Sequence, residues 1–198
     1  MMDNAHSDEV LLMRARGGDS DAFEALAMQL RHKVYGVCMA ILYKHQDAED
    51  ACQETDLAAW QHLHSFRGNS RSFPTWFFTI AANKAREMHR QRRPVTLVDW
   101  TDTDHPPIAP TPDFSGQVDI RQAVQSAIAD LPEDFSVAFI LFQLADLPVK
   151  DIAEWQKVSE ATVKTRLFRA RTHIRDRLRE AHDATEPHND GSASTRSA

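Results

Sequence analysis

The amino-acid sequence predicts an all-α protein with two small helical domains joined by a linker. Apolar residues recur at spacings of three and four wherever proline is scarce, which is typical of amphipathic helices. No stretch alternates polar and apolar residues as a half-buried strand would. A proline-rich segment divides this pattern in two, and 198 residues are enough for two domains with modest cores.

The first predicted domain comprises residues 1–94 and contains four helices. A pair of glycines ends the first helix, and Pro94 ends the fourth. Asp47 and Ser72 are placed to cap the third and fourth helices, because each precedes an apolar periodic run. The four predicted helices are 9–16, 21–44, 47–64 and 72–93.

Residues 95–117 are predicted to form a flexible linker, because they carry four prolines and neither lysine nor arginine. Helical spacing returns in the second predicted domain, residues 118–182. This domain ends in a short helix, a tight turn and a longer final helix that Ser159 can cap. The tail, residues 183–198, lacks apolar periodicity and is predicted to be disordered.

Charge is distributed unevenly along this acidic chain. The formal net charge is −6, yet residues 67–94 hold seven Lys or Arg against one Glu. Residues 161–182 hold seven Lys or Arg against two acidic residues. Such segregation is typical of a protein that contacts polyanions at two places and repels them elsewhere.

Composition favours a cytoplasmic protein without membrane insertion. The first ten residues lack the basic start and apolar block of a secretory signal. Purely apolar runs such as Val137–Phe142 are far shorter than the roughly 20 residues that a membrane span needs. The two cysteines, Cys38 and Cys52, are too few for a disulfide framework and suit a reducing compartment.

Residues 72–93, SFPTWFFTIAANKAREMHRQRR, combine a cluster of aromatic residues with a cationic helix. The spacing of Trp76 and Phe77 with Ile80 favours a place in the core for both aromatics over direct stacking on a ligand. An ordinary amphipathic helix has the same pattern. The segment alone therefore does not predict a function.

Residues 148–178 pair a short helix, a tight turn and a longer cationic helix, the arrangement of a helix-turn-helix. In that motif the second helix enters the DNA major groove with its first turns against base edges. The candidate base readers are Ser159, Thr162, Lys164, Thr165 and Arg169. Arg166, Arg171 and Arg175 are candidate phosphate anchors. A solvated cationic face is the alternative, and the turn has Lys157 where many such motifs have glycine.

Four blocks make a more specific pattern together: DAFEALAMQLRHKVYGV, DAEDACQETDLAAW, FRGNSRSFPTWFFTIAANKAREMHRQRR and LPEDFSVAFILFQLADLPVKDIAEWQKVSEATVKTRLFRARTHIRDRL. With them the sequence resembles a bacterial extracytoplasmic function (ECF) sigma factor, group 4 of the sigma-70 type family. The resemblance covers nearly all of residues 9–180. It implies a four-helix sigma region 2 domain, a helix-turn-helix sigma region 4 domain, and a function in transcription initiation rather than catalysis.

The resemblance implies specific roles in the first domain. One loop would capture a base flipped out of the minus-ten element, and Asn83 would read a base from the following helix. The loop residues are Phe66, Arg67, Gly68, Asn69, Ser70 and Arg71. Asp50, Gln53 and Glu54 fall within about one turn of the helix that would bind the polymerase clamp helices. A solvated acidic face is the alternative for these three residues.

The resemblance also implies partners and a role for the linker. The partners are core RNA polymerase, through its clamp helices and flap, promoter DNA, and an anti-sigma factor that holds the protein until a stress or envelope signal. No cofactor is implied. The linker would thread through basic polymerase channels, which its five aspartates, counted to Asp119, would suit. A solubilising spacer is the alternative.

Three residues depart from the family pattern. Asp56 stands where the family usually has phenylalanine or another apolar residue, and burying an unpaired aspartate is costly. We therefore expect this helix to be rotated or locally exposed, or its core contact to be altered. Asp146 and Ala161 each replace a usual glycine, which is a milder change.

Two other classes of function stay open. A conventional helix-turn-helix regulator would bind duplex DNA alone and would not need the FRGNSRSF loop. A metal-dependent enzyme would need ligands from one His- and Cys-containing region. That region holds His32, Cys38, His45, Cys52, His62 and His64. Their spacings lack the close pairs of zinc sites, and no phosphate-binding glycine loop or nucleophile elbow accompanies them.

Overall fold

The computed structural model of the protein describes residues 2–92 and 120–183, and every regular element within these ranges is helical. The predicted all-α class is therefore confirmed. The predicted linker, residues 95–117, lies outside the described residues, as does the predicted tail beyond Asp183.

Four helices precede the linker: α1 at Met2–Arg16, α2 at Ser20–Leu42, α3 at His45–His62 and α4 at Phe73–Arg92, with a 3-10 turn at Leu63–Ser65. Two capping predictions differ from the structure. Asp47 lies inside the first turn of α3, where its charge suits the helix dipole, and Lys44 precedes the helix. Ser72 precedes α4, but its side chain bonds back to Asn69.

Aromatic residues of α4 form the centre of the core before the linker. Phe73, Phe77 and Phe78 are each no more than 2% exposed. The Phe73 and Phe77 rings stack with centroids 5.6 Å apart, and Phe23 of α2 meets Phe77 edge-on. Burying one such side chain stabilises a fold by about 1.5–3 kcal/mol. The aromatic cluster of α4 therefore holds these helices together, as predicted for Phe77.

Four helices follow the linker: α5 at Ile120–Ala129, α6 at Glu133–Leu144, α7 at Val149–Gln156 and α8 at Glu160–Asp183. α8 packs against the other three. Its apolar stripe is buried at Val163, Leu167, Ala170 and Ile174 and partly buried at Leu178. The Ser159 hydroxyl accepts a hydrogen bond from the Thr162 amide at 3.1 Å, which confirms the predicted cap of α8.

Two positions where glycine is usual adopt the backbone conformation that glycine favours. Asp146, between α6 and α7, has a φ of 55°, and Lys157, between α7 and α8, has a φ of 56°. The Lys157 amide donates to carbonyls at the end of α7. Both turns therefore keep a left-handed geometry that costs a side-chain-bearing residue about 1 kcal/mol.

The helices on the two sides of the linker pack against each other. α6 contacts α2 and α4. Lys33 of α2 forms an ion pair with Asp146, and the Thr75 hydroxyl of α4 donates to Asp151 of α7 at 2.8 Å.

The largest polar contribution to this contact comes from Arg86 of α4. Its guanidinium donates to Glu133 and Asp134 in the first turn of α6. It also lies over the Trp155 ring of α7, 5.4 Å from the ring centroid. The Arg86 side chain is 19% exposed, so water screens this cluster only partly.

Candidate nucleic-acid interface

Loop 66–72, which connects the 3-10 turn to α4, is closed by its own hydrogen bonds. The Asn69 amide donates to the Ser72 hydroxyl at 2.9 Å, and the Ser72 amide donates to the Asn69 side-chain oxygen at 3.2 Å. The Phe73 amide donates to the Asn69 carbonyl at 3.0 Å. Reciprocal bonds of this kind are how Asn and Ser stabilise turns. The loop therefore has a defined shape immediately before α4.

Gly68 has no room for a side chain within this loop. A Cβ atom added there would lie 2.2 Å from the Ser72 hydroxyl oxygen and 2.4 Å from the Phe66 ring. Both distances are far below van der Waals contact. The close approach of the Phe66 ring to the turn therefore depends on glycine at position 68.

The Phe66 ring attaches the loop to α4. It stacks on Trp76 with centroids 4.7 Å apart and planes inclined by 25°. Phe73 meets the same ring edge-on at 6.1 Å. Trp76 is partly buried against the core, so the sequence prediction of a core position holds for Phe77 fully and for Trp76 in part. Trp76 therefore holds the loop against α4 through its stacking on Phe66.

Polar side chains of the loop and of α4 point outward. Arg67, Asn69 and Arg71 are exposed, whereas Phe66, Gly68 and Ser70 are partly buried. Asn83, ten residues after Phe73 on α4, is also exposed. The predicted base-binding residues thus combine an outward polar row on the loop with an outward amide on the helix.

α3 presents the acidic surface that the sequence predicted. Asp50, Gln53 and Glu54 are all exposed, and the Glu54 carboxylate lies 3.5 Å from the Lys84 ammonium of α4. Leu57, one turn later, is 56% exposed. Sequence reasoning did not single out Leu57, which adds an apolar contact to an acidic patch.

Asp56 is locally exposed, which was one of the expected outcomes. Its side chain is 37% exposed and lies 3.7 Å from the Arg31 guanidinium of α2. Partial burial raises the pKa of Asp56, and Arg31 opposes that rise. The buried position of this turn is Thr55, whose hydroxyl bonds to the Ala51 carbonyl. The chain therefore accommodates the aspartate at the surface of α3.

On α8 most of the predicted DNA-contacting residues are exposed. Lys164, Thr165, Arg169 and Arg171 point to solvent. Ser159 and Thr162 form the cap at the start of the helix and bond to each other at 2.9 Å. Phe168, which sequence reasoning missed, is 70% exposed among these cations. Phe168 could have been identified as an aromatic side chain that is exposed to water beside a row of cations.

Arg166 differs from its neighbours on α8. Its side chain is 16% exposed, and it donates to the Gln156 side chain at 2.6 Å. It also pairs with Asp134 at 3.3 Å and lies over the Phe135 ring. These contacts occupy the guanidinium inside the domain, so the assignment of Arg166 to DNA stays a prediction.

The histidines and cysteines do not assemble into a metal site within residues 7–91 and 122–183: no three His, Cys, Asp or Glu side chains of that part converge. Contact with the Cys52 thiol, together with burial, raises the pKa of the Cys38 thiol. A protonated, buried thiol is a poor metal ligand at neutral pH. None of the described helices combines the length and apolar character that a membrane span requires.

Two family models match the chain, and they fall on the two groups of helices. The model described as Sigma-70 region 2 matches residues 26–95, and the model described as Sigma-70, region 4 matches residues 121–174. A helical domain of the first type followed by a helix-turn-helix domain of the second defines a sigma-70 type sigma factor.

Similar curated proteins narrow this class. The RNA polymerase sigma-H factor of Pseudomonas aeruginosa is 34% identical over 182 residues, covering 84% of this chain and 91% of the relative. The ECF RNA polymerase sigma-E factor of Escherichia coli is 31% identical over 182 residues, covering 87% of this chain and 94% of the relative. The chain belongs to the ECF sigma factor family.

Solved structures show the same fold. CnrH, in complex with the cytosolic domain of CnrY, has 22% identity and a TM-score of 0.64, with 91% of this chain and 99% of that chain covered. The sigma factor RpoE of Bartonella quintana, in complex with the anti-sigma factor NepR, has 24% identity and a TM-score of 0.57. That match covers 79% of this chain and 98% of RpoE.

Proposed function

We propose that this chain directs core RNA polymerase to promoters through two domains joined by the linker at residues 95–117. The first domain, residues 1–94, binds polymerase and opens the minus-ten element. The second, residues 118–182, reads the minus-thirty-five element. The chain acts in the cytoplasm by binding alone, without a cofactor or catalytic chemistry of its own. The observation that carries the proposal is the hydrogen-bonded loop 66–72, which leads into a helix that carries an exposed Asn83.

Loop 66–72 has the properties that capture of an unpaired base requires. Unstacked bases bind to surfaces that offer hydrogen-bonding groups and aromatic faces, with cations nearby for the backbone. Arg67 and Arg71 supply exposed cations on either side of the exposed Asn69. Asn83 offers both a donor and an acceptor to a base edge. A regulator that only reads duplex DNA has no use for such a loop.

α8 supplies the duplex reader of the proposal. Lys164 and Arg169 can donate to guanine in the major groove, and Phe168 can contact a thymine methyl group. Arg171 is placed for the phosphate backbone, which contributes affinity and salt dependence.

α3 supplies the polymerase-binding surface. Asp50, Gln53 and Glu54 form an exposed acidic and polar patch, and Leu57 adds apolar area beside it. Such a patch fits a partner helix that carries cations around an apolar centre.

An anti-sigma factor completes the proposal. The similar RpoE structure contains the anti-sigma factor NepR, and the similar CnrH structure contains the cytosolic domain of CnrY. We infer that a partner of this kind holds the present chain until a stress or envelope signal releases it.

Run-off transcription tests the proposed function. The purified chain is added to bacterial core RNA polymerase with a pool of promoter fragments from its own genome. We expect transcripts that start at defined sites and require both the chain and core polymerase. If no such transcripts form while the chain alone shifts duplex DNA, a conventional helix-turn-helix regulator is the better account.

Arg169→Ala is expected to relax sequence preference at one base of the minus-thirty-five element, at a cost of about 1–3 kcal/mol. The measurement is promoter selection with the polymerase-bound variant. Arg179→Ala is the matched control, because Arg179 is an exposed arginine of the last turns of α8, far from the helix start. Equal preferences for wild type and Arg169→Ala would contradict this assignment.

A further inference from the structure

The structure assigns a positioning role to Glu9 and Arg16 of α1: they hold the backbone of loop 66–72 so that its polar side chains face outward. This inference rests on the proposed function of the loop, and it adds two residues to which nothing in the sequence pattern pointed. Glu9 and Arg16 are seven residues apart, which places them on one face of α1.

Arg16 forms hydrogen bonds with the backbone at the start of the loop. One guanidinium nitrogen donates to the Phe66 carbonyl at 2.8 Å and also to the Gly68 carbonyl. The same guanidinium lies 5.3 Å from the centroid of the Phe66 ring. Hydrogen bonds from a charged donor are stronger than those between neutral groups. Arg16 therefore fixes two carbonyls and one ring at once.

Glu9 forms a hydrogen bond with the backbone in the middle of the loop. Its carboxylate accepts a hydrogen bond from the Ser70 amide at 2.9 Å. That bond from the Ser70 backbone lowers the pKa of Glu9, so the carboxylate stays ionised and accepting at neutral pH. Without Glu9, the Ser70 amide would have no hydrogen-bond partner among residues 2–92 and 120–183.

The contacts alternate along the loop. Positions 66, 68 and 70 bond through their backbone to α1, whereas the side chains at 67, 69 and 71 are exposed. Fixing every second residue orients the residues between them. α1 thus presents Arg67 and Arg71 on the side of the loop away from the protein, where an unpaired base can reach them. Asn69 is exposed as well, but its side-chain oxygen is bound by the Ser72 amide.

The anchoring of α1 itself does not depend on these two residues. Leu12 and Ala15 are buried in the core and hold α1 against the domain. Glu9 and Arg16 lie at the surface, so removing either side chain leaves that packing in place. Variants at these positions are therefore expected to fold, which separates loop geometry from domain stability.

The test compares Arg16→Ala, Arg16→Lys and Arg14→Ala in the full-length chain. Arg14 is the matched control, because it lies on the same helix and pairs with Asp19 rather than with the loop. Promoter opening is measured by permanganate reactivity with core polymerase, and core affinity is measured separately. We expect Arg16→Ala to lower the open fraction about tenfold at unchanged core affinity. Arg14→Ala should open promoters normally.

Arg16→Lys distinguishes a positioning role in the loop from a merely structural role. A lysine reaches one carbonyl as a point donor but lacks the fork of the guanidinium. We expect an open fraction between those of wild type and Arg16→Ala. Faster hydrogen exchange of the Ser70 amide in Glu9→Gln, without a change in melting temperature, would support the same role for Glu9.

The outcomes separate this inference from the proposed function. If wild type opens promoters and Arg16→Ala opens them equally well, the positioning role is overturned while the proposed function stands. A parallel loss of core affinity and opening in Arg16→Ala would also overturn it, because the effect would then be general. If wild type opens no promoter with core polymerase, the proposed function fails and the role of the loop fails with it.

Discussion

At the scale of single residues, position 68 requires glycine. Two neighbouring atoms lie within 2.4 Å of the point where its Cβ would be, and one of them belongs to the Phe66 ring that stacks on Trp76. A methyl group at position 68 must therefore displace either the ring or the Asn69–Ser72 turn. Sequence reasoning placed Gly68 in the loop, but only the structure gives the reason for glycine.

We expect Gly68→Ala to impair promoter opening about tenfold or more while core affinity is retained, because the displaced ring would distort the loop. The measurement is permanganate reactivity alongside a binding titration with core polymerase. Gly36→Ala is the control: Gly36 lies inside α2 with open space around it, so alanine should stabilise the fold by about 0.5–1 kcal/mol. Normal opening by Gly68→Ala would argue against a shaped loop.

Asp56 gives a prediction about pH. Partial burial holds the folded-state pKa of Asp56 above the ordinary value of 3.8. The folded state therefore binds more protons than the unfolded state as pH rises above 3.8, and stability falls until the folded pKa is passed. We expect Asp56→Leu to remove this fall and to stabilise the protein at neutral pH by about 1 kcal/mol from apolar burial.

Urea unfolding at a series of pH values measures this effect. Asp50→Leu is the control, because Asp50 is exposed on the same helix and leucine there gains little burial. Arg31, left without Asp56, is itself about half exposed and stays hydrated. A decrease in the neutral-pH stability of Asp56→Leu would show that the ion pair outweighs the burial cost.

At the scale of elements, the sequence predicted the helices well because each has a continuous apolar stripe that must be buried. The α8 stripe at Val163, Leu167 and Ala170 is an example. The starts of the helices were less predictable. Asp47 and Ser72 are good capping residues, yet α3 begins earlier and Ser72 bonds to the loop. Competing local hydrogen bonds decide such cases, and their outcome depends on tertiary contacts.

Some residues of the candidate site could likewise be predicted from the sequence, and others could not. The outward residues Asn83, Lys164 and Arg169 could be predicted, because residues off an apolar stripe face solvent. The contacts of Glu9 and Arg16 with the loop join residues 50 or more positions apart, and no periodicity in the sequence predicts them. The ion pair of Arg166 with Asp134 and its hydrogen bond with Gln156 likewise could not be predicted from residue spacing.

The turn between α7 and α8 gives a prediction at this scale. Lys157 is exposed and has a left-handed backbone, so its side chain contributes strain without buried contacts. We expect Lys157→Gly to stabilise the protein by about 0.5–1 kcal/mol, measured by thermal unfolding. Lys150→Gly, at an exposed helical position of α7, should destabilise it by up to about 1 kcal/mol. A destabilised Lys157→Gly variant would contradict the strain.

At the scale of the whole molecule, the two groups of helices meet through apolar packing as well as polar contacts, since buried residues of both groups belong to one hydrophobic cluster. Arg86 lies one turn beyond Asn83 on α4 and reaches Glu133 and Asp134 across the interface. The contact between the domains therefore begins next to a predicted base-binding residue.

Arg86→Ala tests what holds the two groups together. The substitution removes two ion pairs and the contact with Trp155, yet it leaves Glu133 with Arg90 and Asp134 with Arg166. No buried charge is stranded, so each domain should keep its own stability. We expect the domains to separate, with a larger radius of gyration by small-angle scattering. Lys84→Ala is the control, because Lys84 pairs with Glu54 on the same side of the linker.

Salt gives a second readout of the same prediction. The Arg86 cluster is partly buried, whereas the Lys33–Asp146 pair is exposed and screened by added salt. Wild type should therefore stay compact as salt rises from low to physiological concentration. Arg86→Ala should expand further, because of the polar contacts described here only the exposed pair and the Thr75 hydrogen bond remain beside the α2–α6 packing. If Arg86→Ala is as compact as wild type at both salt concentrations, the α2–α6 contact, and not Arg86, holds the two groups of helices together.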